Sequence, residues 1–71
     1  MINYYEELKL DKSRSASELA DDLIRLESVW TDRAATRPEK SMEMLTLIAQ
    51  AKKVFASEAS KADYERRLFA P

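Results

Sequence analysis

The chain of 71 residues has no cysteine, no histidine and no glycine, and only two prolines, Pro38 and Pro71. Without cysteine or histidine it has no thiol nucleophile, no disulfide, no thiolate or imidazole metal ligand and no imidazole acid–base catalyst. Without glycine it lacks phosphate-cradling loops and the tight hairpins on which β-proteins rely. Twelve Lys and Arg stand against thirteen Asp and Glu, a net charge of −1, so the positive face used by general nucleic-acid and membrane-surface binders is not expected. Apolar runs are short, as in 45–50 with its polar interruptions, so no stretch is long enough to span a bilayer or to form a signal-peptide core. These absences point to helices joined by short loops, and the domain is expected to be soluble and cytoplasmic. A chain this short buries only about 60% of the surface its unfolded form exposes, so its stability is marginal and it has no room for a deep cleft. The ending Phe69-Ala70-Pro71 comes abruptly after a charged segment and fits the N-terminal domain of a longer protein, tethered through a segment beyond Pro71.

What the chain does have is helical periodicity. Leu19, Leu23, Leu26 and Trp30 recur at i, i+4, i+7 and i+11, and at about 100° per residue they fall within roughly a 60° arc of one helix. Ser15-Ala16-Ser17-Glu18 is a capping box set directly before them, which starts the long second helix at Ala16 and lets it run to about Asp32. Trp30 lies on the stripe and is read as core. Glu18, Asp21, Asp22 and Glu27 against the single Arg25 make the exposed side of this helix acidic.

Upstream, Asn3-Tyr4-Tyr5-Glu6 is a further capping box. It opens a short helix from Tyr4 to about Lys9, with Tyr5, Leu8 and Leu10 as core contacts and Tyr4 at the core edge with its hydroxyl in water. The polar 11–14 segment is a loop. Downstream, Pro38 is placed as a first helical residue, where its missing N–H costs nothing. Leu45, Ile48, Ala51 and Phe55, widened by Met44, Leu47 and Val54, give that third helix a broad apolar face. It is expected to pack antiparallel on the second helix. Ser57 caps a fourth helix that ends near Leu68 and carries Ala62, Tyr64 and Leu68 inward. The fold class is therefore all-α, four helices in one domain with a long hairpin of helices two and three.

The order short, long, long, short, with these residues, resembles a J domain, the module that defines DnaJ co-chaperones. The family opening Asp-Tyr-Tyr-Glu-x-Leu-Gly-Leu is similar to Asn3-Tyr4-Tyr5-Glu6-Glu7-Leu8-Lys9-Leu10. The second-helix pattern of that family resembles Glu18-Leu19, Leu23, Leu26 and Trp30 without a gap. Its third-helix pattern resembles Leu45, Ile48, Ala51-Lys52 and Phe55, and its fourth-helix Lys-Arg-Ala-x-Tyr-Asp resembles Ser60-Lys61-Ala62-Asp63-Tyr64-Glu65. The likeness covers residues 3 to 68 and implies the J-domain-like hairpin fold.

It also implies a departure in function. The family's His-Pro-Asp, which follows the aromatic that ends helix two, corresponds here to Thr31-Asp32-Arg33, and all three residues differ. In that family the tripeptide and a basic face of helix two engage a DnaK-type ATPase and trigger its hydrolysis of ATP. The basic face corresponds to Ala20, Asp21, Ile24 and Arg25, of which only Arg25 is a cation. Loss of attraction and gain of repulsion weaken such a docking, each exposed pair being worth about 1 kcal/mol or less.

The expected function is therefore a non-enzymatic J-like interaction module that has lost ATPase stimulation. Its protein partner would be another J domain or a chaperone-related protein, met through Ala20, Ile24, Arg25, Thr31, Asp32 and Arg33. Ile24, with Val29 and Met42, lies off the core stripe and is available for a helix-on-helix contact. The alternative is an active co-chaperone with a non-standard trigger at Thr31-Asp32-Arg33, Asp32 acting one residue early and Arg33 or Arg37 supplying charge. Carboxylate pairs such as Asp21-Asp22 or Glu39 with Glu43 have no desolvating pocket to separate their pKa values, so no catalysis is expected. Nor is a cofactor, a metal, a small-molecule substrate, nucleic-acid binding or membrane contact by this domain.

Overall fold

A computed structural model describes residues 1–70; the reading of the chain end at Pro71 lies outside them. Among the described residues there are four helices and no strand: α1 (Tyr4–Glu7), α2 (Ala16–Arg33), α3 (Pro38–Val54) and α4 (Glu58–Leu68). None is long and apolar enough to cross a membrane.

Local chemistry fixes the helix starts. At α2 the capping box is complete: Glu18 N–H donates to Ser15 Oγ at 3.1 Å and Ser15 N–H donates to Glu18 Oε1 at 3.0 Å. These bonds to Ser15 hold the Glu18 carboxyl below the usual carboxylate range. Pro38 is the first residue of α3, as its locked φ suits, and Ser57 caps α4 by accepting from Ser60 N–H at 3.1 Å. At α1, Asn3 acts alone. Its Oδ1 accepts from Tyr5 and Glu6 N–H at 3.1 and 3.3 Å, and the reciprocal bond expected from Glu6 is absent among the described residues.

Helix α1 is shorter than the expected run to Lys9, for a reason visible in the backbone. Leu8 turns out of the helix and Lys9 has φ +54, the left-handed region. Leu10 N–H then donates to Tyr5 C=O at 2.8 Å and Lys9 N–H to Glu6 C=O at 3.4 Å. This is the pair of bonds by which a helix end is closed with a left-handed residue, usually glycine, just past its cap. Here the residue is lysine.

A connection of residues 34–37 is so short that α3 must fold back on α2, and those two helices share the most extensive packing in the chain. Leu19 and Leu23 of α2 and Ile48 and Ala51 of α3 are fully buried between them, with Leu26 half-buried at the same seam. Around the base of this hairpin, where α2 begins and α3 ends, α1 and α4 add Tyr4, Tyr5, Leu8 and Tyr64 to Phe55. Ring centroids are 5.4 Å apart for Tyr5 and Phe55, 5.6 Å for Tyr4 and Tyr64, and 6.0 Å for the edge-to-face pair Phe55 and Tyr64. Such pairs add about 0.5–1.5 kcal/mol each beyond the area they bury. Toward the other end, Trp30 is 9% exposed and joins the same core, as its stripe predicts. The molecule measures 39 × 24 × 17 Å, elongated along the hairpin.

Two side chains depart from the expected pattern. The Tyr4 hydroxyl is not left to water alone: Tyr4 is buried and its Oη donates to Gln50 Oε1 at 2.9 Å. Ala62 points outward, and α4 is held instead by Tyr64, with Leu68 and the partly buried Lys61 beside it. Tyr64 Oη accepts from Tyr4 N–H at 3.0 Å and donates to Ile2 C=O, tying the N-terminus to α4. The acidic side of α2 is also less bare than its composition suggests. Asp22 is engaged by both Arg14 and Arg25, and Glu27 meets Lys52 of α3 at 2.6 Å. Of its acids, Asp21 has no cation partner among the described residues.

Candidate functional site

The six residues singled out on α2 fall on two sides of the helix. Ala20, Ile24 and Thr31 lie within about 40° of one another on the wheel. Ala20 is half-buried, Thr31 is exposed and Ile24 is 57% exposed. Val29 and Met42, the other off-stripe apolar residues, are 40% and 72% exposed. Asp32 is exposed and has no cation partner among the described residues. Arg25 and Arg33 lie elsewhere: both line a groove of about 690 Å³ between α2, the α1–α2 connection and α3.

Thr31, Asp32 and Arg33 are helical, continuing α2 past the expected end near Asp32. Nothing in the local chemistry stops the helix there. Thr31 Oγ1 donates back to Glu27 C=O at 2.7 Å, Ala34 N–H donates to Thr31 C=O at 3.3 Å, and Arg37 N–H to Arg33 C=O at 2.8 Å. The first residue that cannot continue a helix is the one before Pro38, because proline disfavours the α region for its predecessor. Arg37 accordingly leaves helical geometry at φ −136, ψ 68. The tripeptide is thus the last turn of a helix, with its three side chains exposed.

The groove is built by a helix and a loop that close on each other through charge. From the loop, Arg14 Nε reaches Asp22 Oδ2 at 2.8 Å and Arg14 also lies 3.7 Å from Glu18. From α2, Arg25 meets Asp22 Oδ1 at 2.7 Å. Arg33, one helical turn beyond Val29, holds its guanidinium carbon 4.9 Å from the Trp30 ring centroid, within cation–π range. Leu10, Leu26, Trp30 and Met44 form the floor, with Val29 at its edge and Lys9 on the rim.

The resemblance to the J-domain pattern singles out Arg25 and Arg33 but not the groove they share. Its other wall comes from residues 7–14, read only as the end of a short helix and a polar loop. One signal was present: Arg14 precedes Glu18 by four and Asp22 by eight, the spacing of an ion-paired helix face carried back into the loop.

One groove acid, Asp11, is held below the usual carboxylate range by its bonds to Ser13; the other displaced groups sit apart from the groove, at the capping box and in the aromatic base, where Tyr5, Tyr64 and Glu65 cluster. What the groove offers is an apolar floor between cations, suited to binding an apolar group flanked by negative charge. Compared with known families, curated proteins and solved structures, the chain finds no match in any of the three.

Proposed function

We propose that this chain is a non-enzymatic, J-like protein-interaction module that does not stimulate a DnaK-type ATPase. The observation that carries the reading is the state of Thr31, Asp32 and Arg33. They are wound into the last turn of α2, Arg33 is drawn over Trp30, and Thr31 bonds back to the helix. A trigger that works by presenting an imidazole, a proline-bent backbone and a carboxylate after the helix finds here no imidazole and no proline, and its one carboxylate, Asp32, within the last helical turn. The basic surface beside it is also reduced, since Arg25, its one cation, is tied to Asp22.

The J-like part of the reading is supported by a detail outside the hairpin. Lys9 takes a left-handed φ of 54 at the position where the resembled opening motif carries glycine. The backbone keeps the turn that glycine serves while the residue has changed. The four-helix order and the antiparallel α2–α3 pair support the same likeness. The favoured partner is another J domain or a chaperone-related protein.

One observation favours the alternative, an active co-chaperone: Asp32 stands exposed at the hairpin apex and unpaired among the described residues. A steady-state ATPase assay with the cognate DnaK-type protein separates the two. No stimulation at saturating concentration is expected, and stimulation abolished by Asp32→Asn would retire the inactive reading. Titrating labelled chain with an authentic J domain from the same source then tests the pairing, which unchanged amide shifts throughout would exclude.

A further inference from the structure

The groove beside Trp30 has a charge pattern that decides what fits it. Four cations line it, Lys9, Arg14, Arg25 and Arg33, against three acids. Two of the acids are already engaged inside the protein. Asp22 is shared by Arg14 and Arg25, and Asp11 accepts from the N–H and the hydroxyl of Ser13, which hold its carboxyl below the usual range. The third, Glu7, is exposed at the α1 end. Lys9 and Arg33 are left with no carboxylate partner among the described residues, so two positive charges flank an apolar floor in a chain that is negative overall. The left-handed backbone at Lys9 is unfavourable for a residue with a Cβ, and it sets that lysine on the rim.

We infer that this groove docks an acidic, apolar segment of a partner protein. One large apolar side chain of the segment seats on Leu10, Trp30 and Met44, and carboxylates on either side of it meet Lys9 and Arg33. A guanidinium held over an aromatic ring keeps its N–H fork for a planar carboxylate, which makes Arg33 the stronger of the two contacts. The charges set orientation and encounter rate, and the apolar seat supplies the contact that excludes water. The site is on the other side of α2 from Ile24. The inference deepens the interaction-module reading by naming the chemistry of the partner.

The test is selection from a phage-displayed library of random dodecapeptides against the intact chain. Selected peptides are expected to carry Asp or Glu on both sides of Leu, Met or an aromatic residue, and a synthetic consensus peptide should change Trp30 fluorescence. Arg33→Glu and Lys9→Glu should each weaken that peptide by roughly tenfold or more, with unchanged circular dichroism, while Ile24→Glu leaves binding intact. Enrichment of basic peptides, no enrichment at all, or loss on Ile24→Glu with Arg33→Glu and Lys9→Glu silent overturns the inference. So does self-association of the chain that covers Trp30 in sedimentation and fluorescence. The ATPase assay does not touch the groove: failed selection leaves the J-like reading standing, and ATPase stimulation retires the inactive-module reading while leaving the groove.

Discussion

The Tyr5 hydroxyl donates a 2.7 Å hydrogen bond to Oε1 of Glu65, sixty residues away in sequence, and Lys61 meets the same oxygen at 2.8 Å. The lysine first, and the tyrosine second, hold the Glu65 carboxyl below its ordinary value. A carboxyl whose folded pKa lies below its unfolded one stabilises the fold above the unfolded value of about 4.5 and ceases to do so as pH falls through the folded one. Burial pushes the Tyr5 hydroxyl up, with Glu65 adding to it, and burial raises Tyr64 as well. Those phenols stabilise fully below their unfolded value of about 10 and lose that contribution as pH climbs beyond it. Urea unfolding followed by far-UV circular dichroism should therefore give a plateau across neutral pH and falling stability on both flanks. Glu65→Gln should flatten the acid flank in part, because the lowered carboxyl of Glu18 remains. An acid flank identical in Glu65→Gln and wild type would count against the network.

Trp30→Ala should cost about 3–5 kcal/mol, a large share of the marginal stability of so small a domain. Arg33→Ala removes only the cation over the ring and should cost about 0.5–1 kcal/mol. Thermal melts of both variants check the ratio. A Trp30→Ala variant that melts within a few degrees of wild type contradicts its place in the core.

Replacing Lys9 by glycine relieves the left-handed strain that a Cβ incurs, at the expense of a more flexible unfolded chain. The expected balance is a gain of about 0.5–1 kcal/mol, or a melting temperature about 2–8 °C higher. Lys9→Val, β-branched, should move the melt in the opposite direction. If glycine lowers the melting temperature, the helix end is not closed in the way described.

Ser41, in the first turns of α3, is 1% exposed and its hydroxyl has no hydrogen-bond partner among the described residues. An unpaired buried hydroxyl costs more than it returns, so Ser41→Ala should be neutral or stabilising by up to about 1 kcal/mol. Most serine-to-alanine changes at helix caps run the other way, and Ser15→Ala should cost about 1 kcal/mol in the same melt.

The helices were legible because each start is a local event. Ser15 with Glu18, Pro38, and Ser57 announce themselves within four residues, and the Leu19-Leu23-Leu26-Trp30 stripe names its own buried side. The extension of α2 through Arg33 was readable too, since no residue before Pro38 forbids it. Contacts between distant segments were not. Nothing near Tyr4 points to Gln50 as its partner, nothing near Tyr5 points to Glu65, and the pairing of Arg14 with Asp22 requires knowing how the loop returns to α2. The groove is made by that return, which is why the family resemblance singled out Arg25 and Arg33 without showing what they share.

The hydrogen bonds and ring contacts between distant segments gather at one end of the hairpin. The four aromatic rings, packed tilted and edge to face, the Tyr64 link to the N-terminus and the Ala16 N–H bond to Glu58 all lie at its base, while the far tip depends on Trp30 and the seam around it. Opening should therefore begin at the tip and travel toward the base, like tweezers released from the hand. Amide hydrogens around residues 31–41 should exchange with solvent by local fraying, and those around Leu19, Leu23 and Ile48 only when the whole chain unfolds.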